Sequence, residues 1–243
     1  KMNEKIAHRG PDDSSYYRNE FIAFGHRRLS IIDLDKRSNQ PMTYKDIIIT
    51  FNGEIYNYKK VRKILIKEGY KFSTDGDCEV ILKGYHKWGA NCVKYFKGMW
   101  AFAIYDQKKD ILFCSRDRFG IKPFYYTVQN SKFYFGSEIK QLCGSNPRPV
   151  LDNILDFIIA GYVDHNERTF FKGVLQLLPG NNLIIQKDEF KITEISYFNL
   201  NDDSDSKESR NITELLNESI SEHLISDVKV GSCLSGGLDS SYL

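Results

Sequence analysis

Residues 99–106 read MWAFAIYD, seven apolar side chains in succession closed by one aspartate. A strand with one wet face alternates apolar and polar residues. This run does not alternate, so it reads as a strand buried on both faces. Such a strand obliges the chain to cover its sheet from both sides.

The segments around it show how that cover is supplied. "IIITF" (47–51) is a second β-rich run, headed into a turn-like Asn52-Gly53. "YKKVRKILIKEG" then places Tyr58, Val61, Ile64 and Leu65 at helical spacing, with Gly69 as a stop. "DCEVILKGYHKWG" repeats the pattern with Val80, Ile81, Tyr85 and Trp88 on one face, Asp77 at the N-cap position and Gly89 at the end. Downstream, "QKKD" turns the chain into "ILFCSRD", and "FYYTV" and "FYFGS" flank "QNSK" as a hairpin. "LDNILDFIIAGY" (151–162) reads as a helix with Asp152 near its start, and "VLQLLPGNNLIIQ" as a further hairpin around Pro179-Gly180.

After Leu200 the character changes. "NDDSDSKESR" (201–210) is polar and Ser-rich and reads as a linker. Asn211, with Glu214 three residues on, starts a helix over "ITELLNESISEHLI", followed by a short strand "VKVGSCL" and a glycine loop. Residues 1–200 therefore form one β-rich α+β domain. Residues 211–243 are the opening helix and strand of a second one, too short for a core of their own. Lys1 is not a natural start, so the chain reads as a piece cut at both ends.

Composition excludes several classes. Apolar residues at 41% and charged residues at 27% fit an ordinary globular protein. A net charge of +2 offers no field for nucleic acid or an anionic membrane. No apolar run approaches the roughly 18 residues of a membrane span, and no secretory signal is present. The five cysteines (78, 92, 114, 143 and 233) are odd in number and form no CxxC pair. That argues against a disulfide framework or a zinc site and for a reducing, cytoplasmic setting.

The last loop, "LSGGLDSS" (234–241), has adjacent glycines between an expected strand and helix. Without Cβ atoms, backbone N–H groups can converge on an anion, and Ser235 and Ser240 can donate to phosphate oxygens. It is neither GxxxxGK[ST] nor GxGxxG.

Nine stretches occur in a fixed order: "IAHRGPDD", "GHRRLSIIDL", "FNGEIYNY", "TDGDCEVIL", "KGMWAFAIYD", "SRDRFGIKPFYY", "GSEIK", "LPG" and "SGGLDSS". The series resembles the glutamine-hydrolysing asparagine synthetases, which join a class II glutamine amidotransferase domain to a PP-loop ATP-dependent synthetase domain. The resemblance implies an N-terminal-nucleophile-hydrolase αββα sandwich, two antiparallel sheets between helices, and then the start of a parallel α/β ATP-binding domain. It also implies glutamine hydrolysis that supplies ammonia to an aspartate activated as β-aspartyl-AMP. The products are asparagine, glutamate, AMP and pyrophosphate.

The resemblance further implies an oxyanion hole made of Asn52 and the Gly53 N–H, suited to the charge that builds on an amide oxygen under attack. Arg28 would hold the glutamine carboxylate through its planar fork, and Asp77 the ammonium. Leu29, Ser30, Ile31, Ile32 and Glu54 would line the same pocket. ATP would meet Leu234, Ser235, Gly236, Gly237, Asp239 and Ser240, with Mg2+ accompanying the nucleotide and no prosthetic group. The implied partners are glutamine, aspartate and ATP, with a homodimer left open. "RDRFGIKPFYY" is read as a shaped loop around Gly120 and Pro123.

One departure stands out. The family's nucleophile is an N-terminal cysteine whose own amino group is the base. None of the five cysteines here is N-terminal, and Cys78 reads as a small buried thiol. The first strand of the domain is expected to be missing, leaving an unpaired sheet position, and the chain alone is expected not to hydrolyse glutamine. Two other readings stay open: an amidotransferase acting on another carboxylic acid, and a non-catalytic glutaminase-like interaction module.

Overall fold

The computed structural model describes residues 1–144, 146–188, 190–200 and 211–242. The expected linker over 201–210 lies outside the described residues.

At the centre is an antiparallel sheet. Two short strands, β1 (Asp13–Arg18) and β2 (Ala23–Arg28), form a separate hairpin. β3 (Met42–Tyr44) and β4 (Ile47–Ile55) begin the main sheet, and α1 (Tyr58–Lys67) and α2 (Cys78–Trp88) follow. β5 (Gly98–Asp106) and β6 (Ile111–Arg116) return to it. β7 (Tyr125–Gln129), β8 (Lys132–Gly136) and β9 (Leu175–Gln176) make a three-stranded sheet, with α3 (Leu151–Ala160) between β8 and β9 in sequence. β10 (Asn181–Gln186) and β11 (Lys191–Ser196) complete the main sheet in the order β11-β10-β6-β5-β4-β3. Helices α4 (Ile212–His223) and α5 (Leu238–Tyr242) close the described chain.

The β5 expectation holds, and the reason is visible side by side. Trp100, Phe102 and Ile104 join Phe51, Phe113 and the buried faces of α1 and α2 in one core. Ala101, Ala103 and Tyr105 join Ile48, Cys114, Phe24 and Phe124 in another. Successive residues of a strand point to opposite faces, so an all-apolar run feeds both layers. On the second face the strands are in two pieces, the β1–β2 hairpin and the β8-β7-β9 sheet. They touch where Phe24 meets Phe135 edge-on at 5.7 Å.

Five local expectations are corrected. Asn52-Gly53 is no turn: β4 runs straight through it, Asn52 opposite Ala101 and Gly53 opposite Trp100. Pro179-Gly180 is no hairpin tip either. β9 pairs with β7, whereas β10 pairs with β6 and β11, so the segment crosses from one sheet to the other. Gly180 donates to Asp117 O at 2.9 Å at that crossing. Ile64 is exposed, because α1 buries only Tyr58, Val61 and Leu65. The expected strand "VKVGSCL" is not formed; among the described residues no strand lies beside it to accept its ladder. Finally, Asn211 caps α4 through the Thr213 N–H at 2.9 Å rather than through a reciprocal pair with Glu214.

Within the described residues no helix is long and apolar enough to cross a membrane.

Candidate active site

The open edge of β4 builds the site. β3 pairs with β4 only as far as Ile49. Beyond that point the outward N–H groups of β4 need other acceptors. Gln40 Oε1 accepts from Phe51 N–H at 2.6 Å, and Asp77 Oδ2 accepts from Ile55 N–H at 2.9 Å. Strand N–H groups alternate in direction. Gly53, midway between Phe51 and Ile55, therefore turns its N–H to the same edge.

Gly53 has φ +149°, and a Cβ there would run into the Met99 carbonyl, so the position requires glycine. Asn52 shares its strand face with Ile48, which packs against the second strand layer. Its partner across the sheet is the small Ala101, which leaves room above it. The result is a cavity of about 280 Å³ whose wall includes Asn52, Gly53, Glu54, Asp77, Ala101 and Ala103. Asn52 Nδ2 is buried there and has no hydrogen-bond partner among the described residues.

Asp77 occupies the N-cap position of α2, but its side chain makes no cap hydrogen bond. Its carboxylate instead reaches back to β4. Burial pushes its pKa up to about 6, against the pull of the Ile55 N–H, with the Glu54 charge adding to the rise. Glu54 is raised too, chiefly by burial, and Lys122 and His223 oppose that rise. Lys122, on the same wall, is lowered by burial while Glu54 works the other way.

Arg28 ends β2 and is buried. Its Nη1 donates to Asp35 O at 2.9 Å and to Asn39 Oδ1 at 2.6 Å, and its Nη2 to the carbonyls of Ile32 and Asp33. The guanidinium thus pins the 32–39 loop while forming part of the cavity wall. Leu29, Ile31 and Ile32 reach the wall as expected. Ser30 is the exception. Its N–H is held by Asp12 Oδ2 at 2.7 Å, and its side chain does not line the cavity.

Several wall residues escaped the sequence reading. His26 donates its Nε2–H to Phe51 O at 3.2 Å and so fixes the peptide that leads into Asn52. Burial lowers its pKa to about 4, helped by the Arg28 charge, so the ring stays neutral in that bond. Only the motif "GHRRLS" marked it. Gln40, Arg9 and Lys122 also line the cavity. Lys122 sits in a loop wound around the fully buried Asp117 carboxylate, which accepts from the N–H groups of Trp100, Phe119, Ile121 and Lys122. That is the physical content of "RDRFGIKPFYY".

The cysteines contribute no nucleophile. Cys78 lines the cavity, but burial and then the Asp77 and Glu79 charges hold its thiol protonated. Burial does the same for Cys92 and Cys114.

The glycine loop near the end of the chain lies apart from this cavity. Gly236 has φ +79°, Ser235 Oγ and Ser240 Oγ are 3.0 Å apart, and Ser240 Oγ donates to Gly237 O at 3.1 Å. Leu234, Gly237 and Asp239 are exposed beside them. Both hydroxyls lie together at a glycine turn, which fits phosphate oxygens as ligands. No group of three or more His, Cys, Asp or Glu able to hold a metal occurs among the described residues.

Residues 1–198 match the model of the glutamine amidotransferase domain, and residues 211–243 that of asparagine synthase. A putative glutamine-hydrolysing asparagine synthetase 2 of Methanocaldococcus jannaschii is 39% identical over 275 residues, covering 99% of this chain and 52% of that protein. Asparagine synthetase 1 of Bacillus subtilis, also glutamine-hydrolysing, is 38% identical over 250 residues, covering all of this chain and 39% of its own. The chain thus spans 52% and 39% of the length of these two relatives. Among solved structures, the glutamine phosphoribosylpyrophosphate amidotransferase of B. subtilis superposes with a TM-score of 0.52 at 20% identity, over 72% of this chain and 35% of the other. That likeness shows the fold, the N-terminal-nucleophile-hydrolase sandwich implied by the sequence resemblance. With four-fifths of its length inside one family model, the chain belongs to the glutamine amidotransferase domain family.

Proposed function

We propose that the cavity is the glutamine site of a glutamine-hydrolysing asparagine synthetase. The observation that carries this reading is Asn52. Its Nδ2 is buried without a partner among the described residues, and Asn52 and Gly53 line the same cavity. Attack on an amide carbonyl puts negative charge on oxygen, and two fixed donors on one cavity wall are suited to that charge. Asp77 is the counter-ion for the glutamine ammonium, and Arg28 the positive charge for its carboxylate. His26 and Gln40 hold the carbonyl and the N–H of Phe51, so the backbone leading into Asn52 is fixed.

In the longer enzyme, ammonia released here goes to an aspartate carboxylate activated by ATP. A carboxylate is a poor acyl donor, and adenylation gives it a good leaving group. Leu234, Ser235, Gly236, Gly237, Asp239 and Ser240 are the residues we assign to the ATP phosphates. Mg2+ belongs with the nucleotide on this reading. The free cysteines support a cytoplasmic setting.

Calorimetric titration of the 243-residue chain with L-glutamine tests the reading. Saturable binding is expected, weakened about tenfold or more by Asp77→Ala, which removes the ammonium counter-ion, and by Arg28→Ala, which removes both a positive charge and the grip on the 32–39 loop. A folded chain that shows no binding of L-glutamine would refute it.

A further inference from the structure

The segment that matches the asparagine synthase model does not hang free of the glutamine cavity. His223 at the end of α4 packs against Tyr56 with ring centroids 4.0 Å apart and the ring planes tilted by 39°, and Lys60 pairs with Glu222 at 2.9 Å. Just beyond, Ile225 packs against the core beneath α1 and α2. The chain then makes two hydrogen bonds to one short stretch of the cavity rim. Asp227 N–H donates to Ile31 O at 3.0 Å, and Asp227 Oδ2 accepts from Asp33 N–H at 2.7 Å.

That stretch is the one Arg28 holds from within. The carbonyls of Ile32 and Asp33 accept from Arg28, while Ile31 and Ile32 form cavity wall. Asp33 sits at φ +50°, a left-handed conformation that a non-glycine residue keeps only when its surroundings dictate it. Its carboxylate accepts from Ser38 Oγ at 2.7 Å and from Asp75 N–H at 2.6 Å, two residues before Asp77. One residue thus receives Asp227 at its N–H, Arg28 at its carbonyl and the Asp75–Asp77 loop at its side chain.

We propose that Asp227 is a positioning residue for the glutamine site, acting through Asp33 and Ile31 on the loop that Arg28 grips. It touches neither glutamine nor the reacting atoms. It couples the position of the asparagine synthase segment to the shape of the glutamine pocket, and it rests on the glutamine reading given above.

The test uses the whole 243-residue chain with Asp227→Ala, Asp227→Asn and Glu222→Gln. L-Glutamine affinity is measured by calorimetry and amide exchange is followed over residues 31–39. Asp227→Ala is expected to weaken glutamine about three- to tenfold and to speed exchange at Asp33. Asp227→Asn keeps an oxygen acceptor and should stay within about twofold of the parent. Glu222→Gln removes the Lys60 pair, leaves the rim bonds and should leave affinity unchanged. Parental affinity or parental exchange in Asp227→Ala overturns the positioning role while the glutamine site stands. An asparagine variant as weak as alanine, or an equal loss in Glu222→Gln, overturns it too. Absence of binding by the parent chain sinks the glutamine reading and this proposal with it.

Discussion

Asp77 Oδ2 accepts the Ile55 N–H at 2.9 Å, which ties the head of α2 to the strand that carries Asn52 and Gly53. One hydrogen bond thereby sets the spacing between the proposed ammonium holder and the proposed oxyanion donors. It also holds a carboxylate in a buried place that does not favour its charge.

The sign of that cost can be measured. The folded pKa of Asp77, about 6, lies above its ordinary 3.8. Its favourable contribution to folding is therefore complete below pH 3.8 and is lost as the pH rises through about 6. Asp77→Asn keeps an acceptor for Ile55 and removes the charge. We expect it to raise the melting temperature at pH 7, by on the order of 1–3 kcal/mol in stability, while weakening glutamine. A lower melting temperature in the variant would show the charge to be compensated by groups other than these.

Glutamine affinity should share this titration. The ammonium needs an ionised Asp77, so the apparent Kd should rise about tenfold per pH unit below about pH 6 and level off above it. In Asp77→Asn the profile should flatten. A parent affinity independent of pH between 4.5 and 7 excludes Asp77 as the counter-ion.

Asn52→Ala removes one donor from the edge of β4. In a longer enzyme containing this chain, glutaminase turnover should fall about 100-fold or more, and synthesis from free ammonia should be largely spared. Parallel assays with glutamine and with ammonium salts decide it. An equal loss in both means that Asn52 holds the fold rather than the transition state.

Asp117 offers a purely structural prediction. Its replacement by alanine leaves four N–H groups without their carboxylate acceptor. The cost should be about 3 kcal/mol or more, read from urea unfolding. Loss of the loop should also displace Lys122 from the cavity wall, so glutamine affinity should fall even at temperatures where the variant is folded.

Glu79 and Lys83 form a buried ion pair one turn apart in α2. Burial raises the Glu79 pKa, but Lys83, Thr74 and the Ser73 N–H together pull it down to about 2. Its stabilising effect is complete above pH 4.5 and disappears as the pH falls through about 2. Glu79→Gln should cost up to about 3 kcal/mol at pH 7, and the gap from the parent should close on acidification. A constant gap means that packing, not charge, is what the substitution removes.

Much of the fold was legible because its signals are local. The unbroken apolar run at Met99–Tyr105 can only be a strand with cover on both sides, and α1, α2, α4 and the β7–β8 hairpin lie where spacing and turn residues put them. Asn130 and Ser131, at φ +50° and +54°, make the tight turn that "QNSK" announced. The misreadings come from one source. Asn-Gly and Pro-Gly are turn formers in isolation, yet Gly53 was needed for the close approach of Met99, and Pro179-Gly180 for a passage between sheets. In each case a partner distant in sequence outweighed the local preference.

The sequence by itself determined the layers, the helices and the family, because periodicity and ordered motifs survive without coordinates. It also named Arg28, Leu29, Ile31, Ile32, Asn52, Gly53, Glu54 and Asp77, a minority of the cavity wall. Only the tertiary structure decided what those residues do to one another. That Asp77 turns to Ile55 instead of capping its helix follows from an unpaired strand edge which no local pattern encodes. So does the partnerless amide of Asn52. The grip of Arg28 and Asp227 on the two sides of Asp33 joins residues up to 199 positions apart in the chain. Hydrogen bonds between such residues depend on where the fold brings them, and spacing in the sequence carries no record of that.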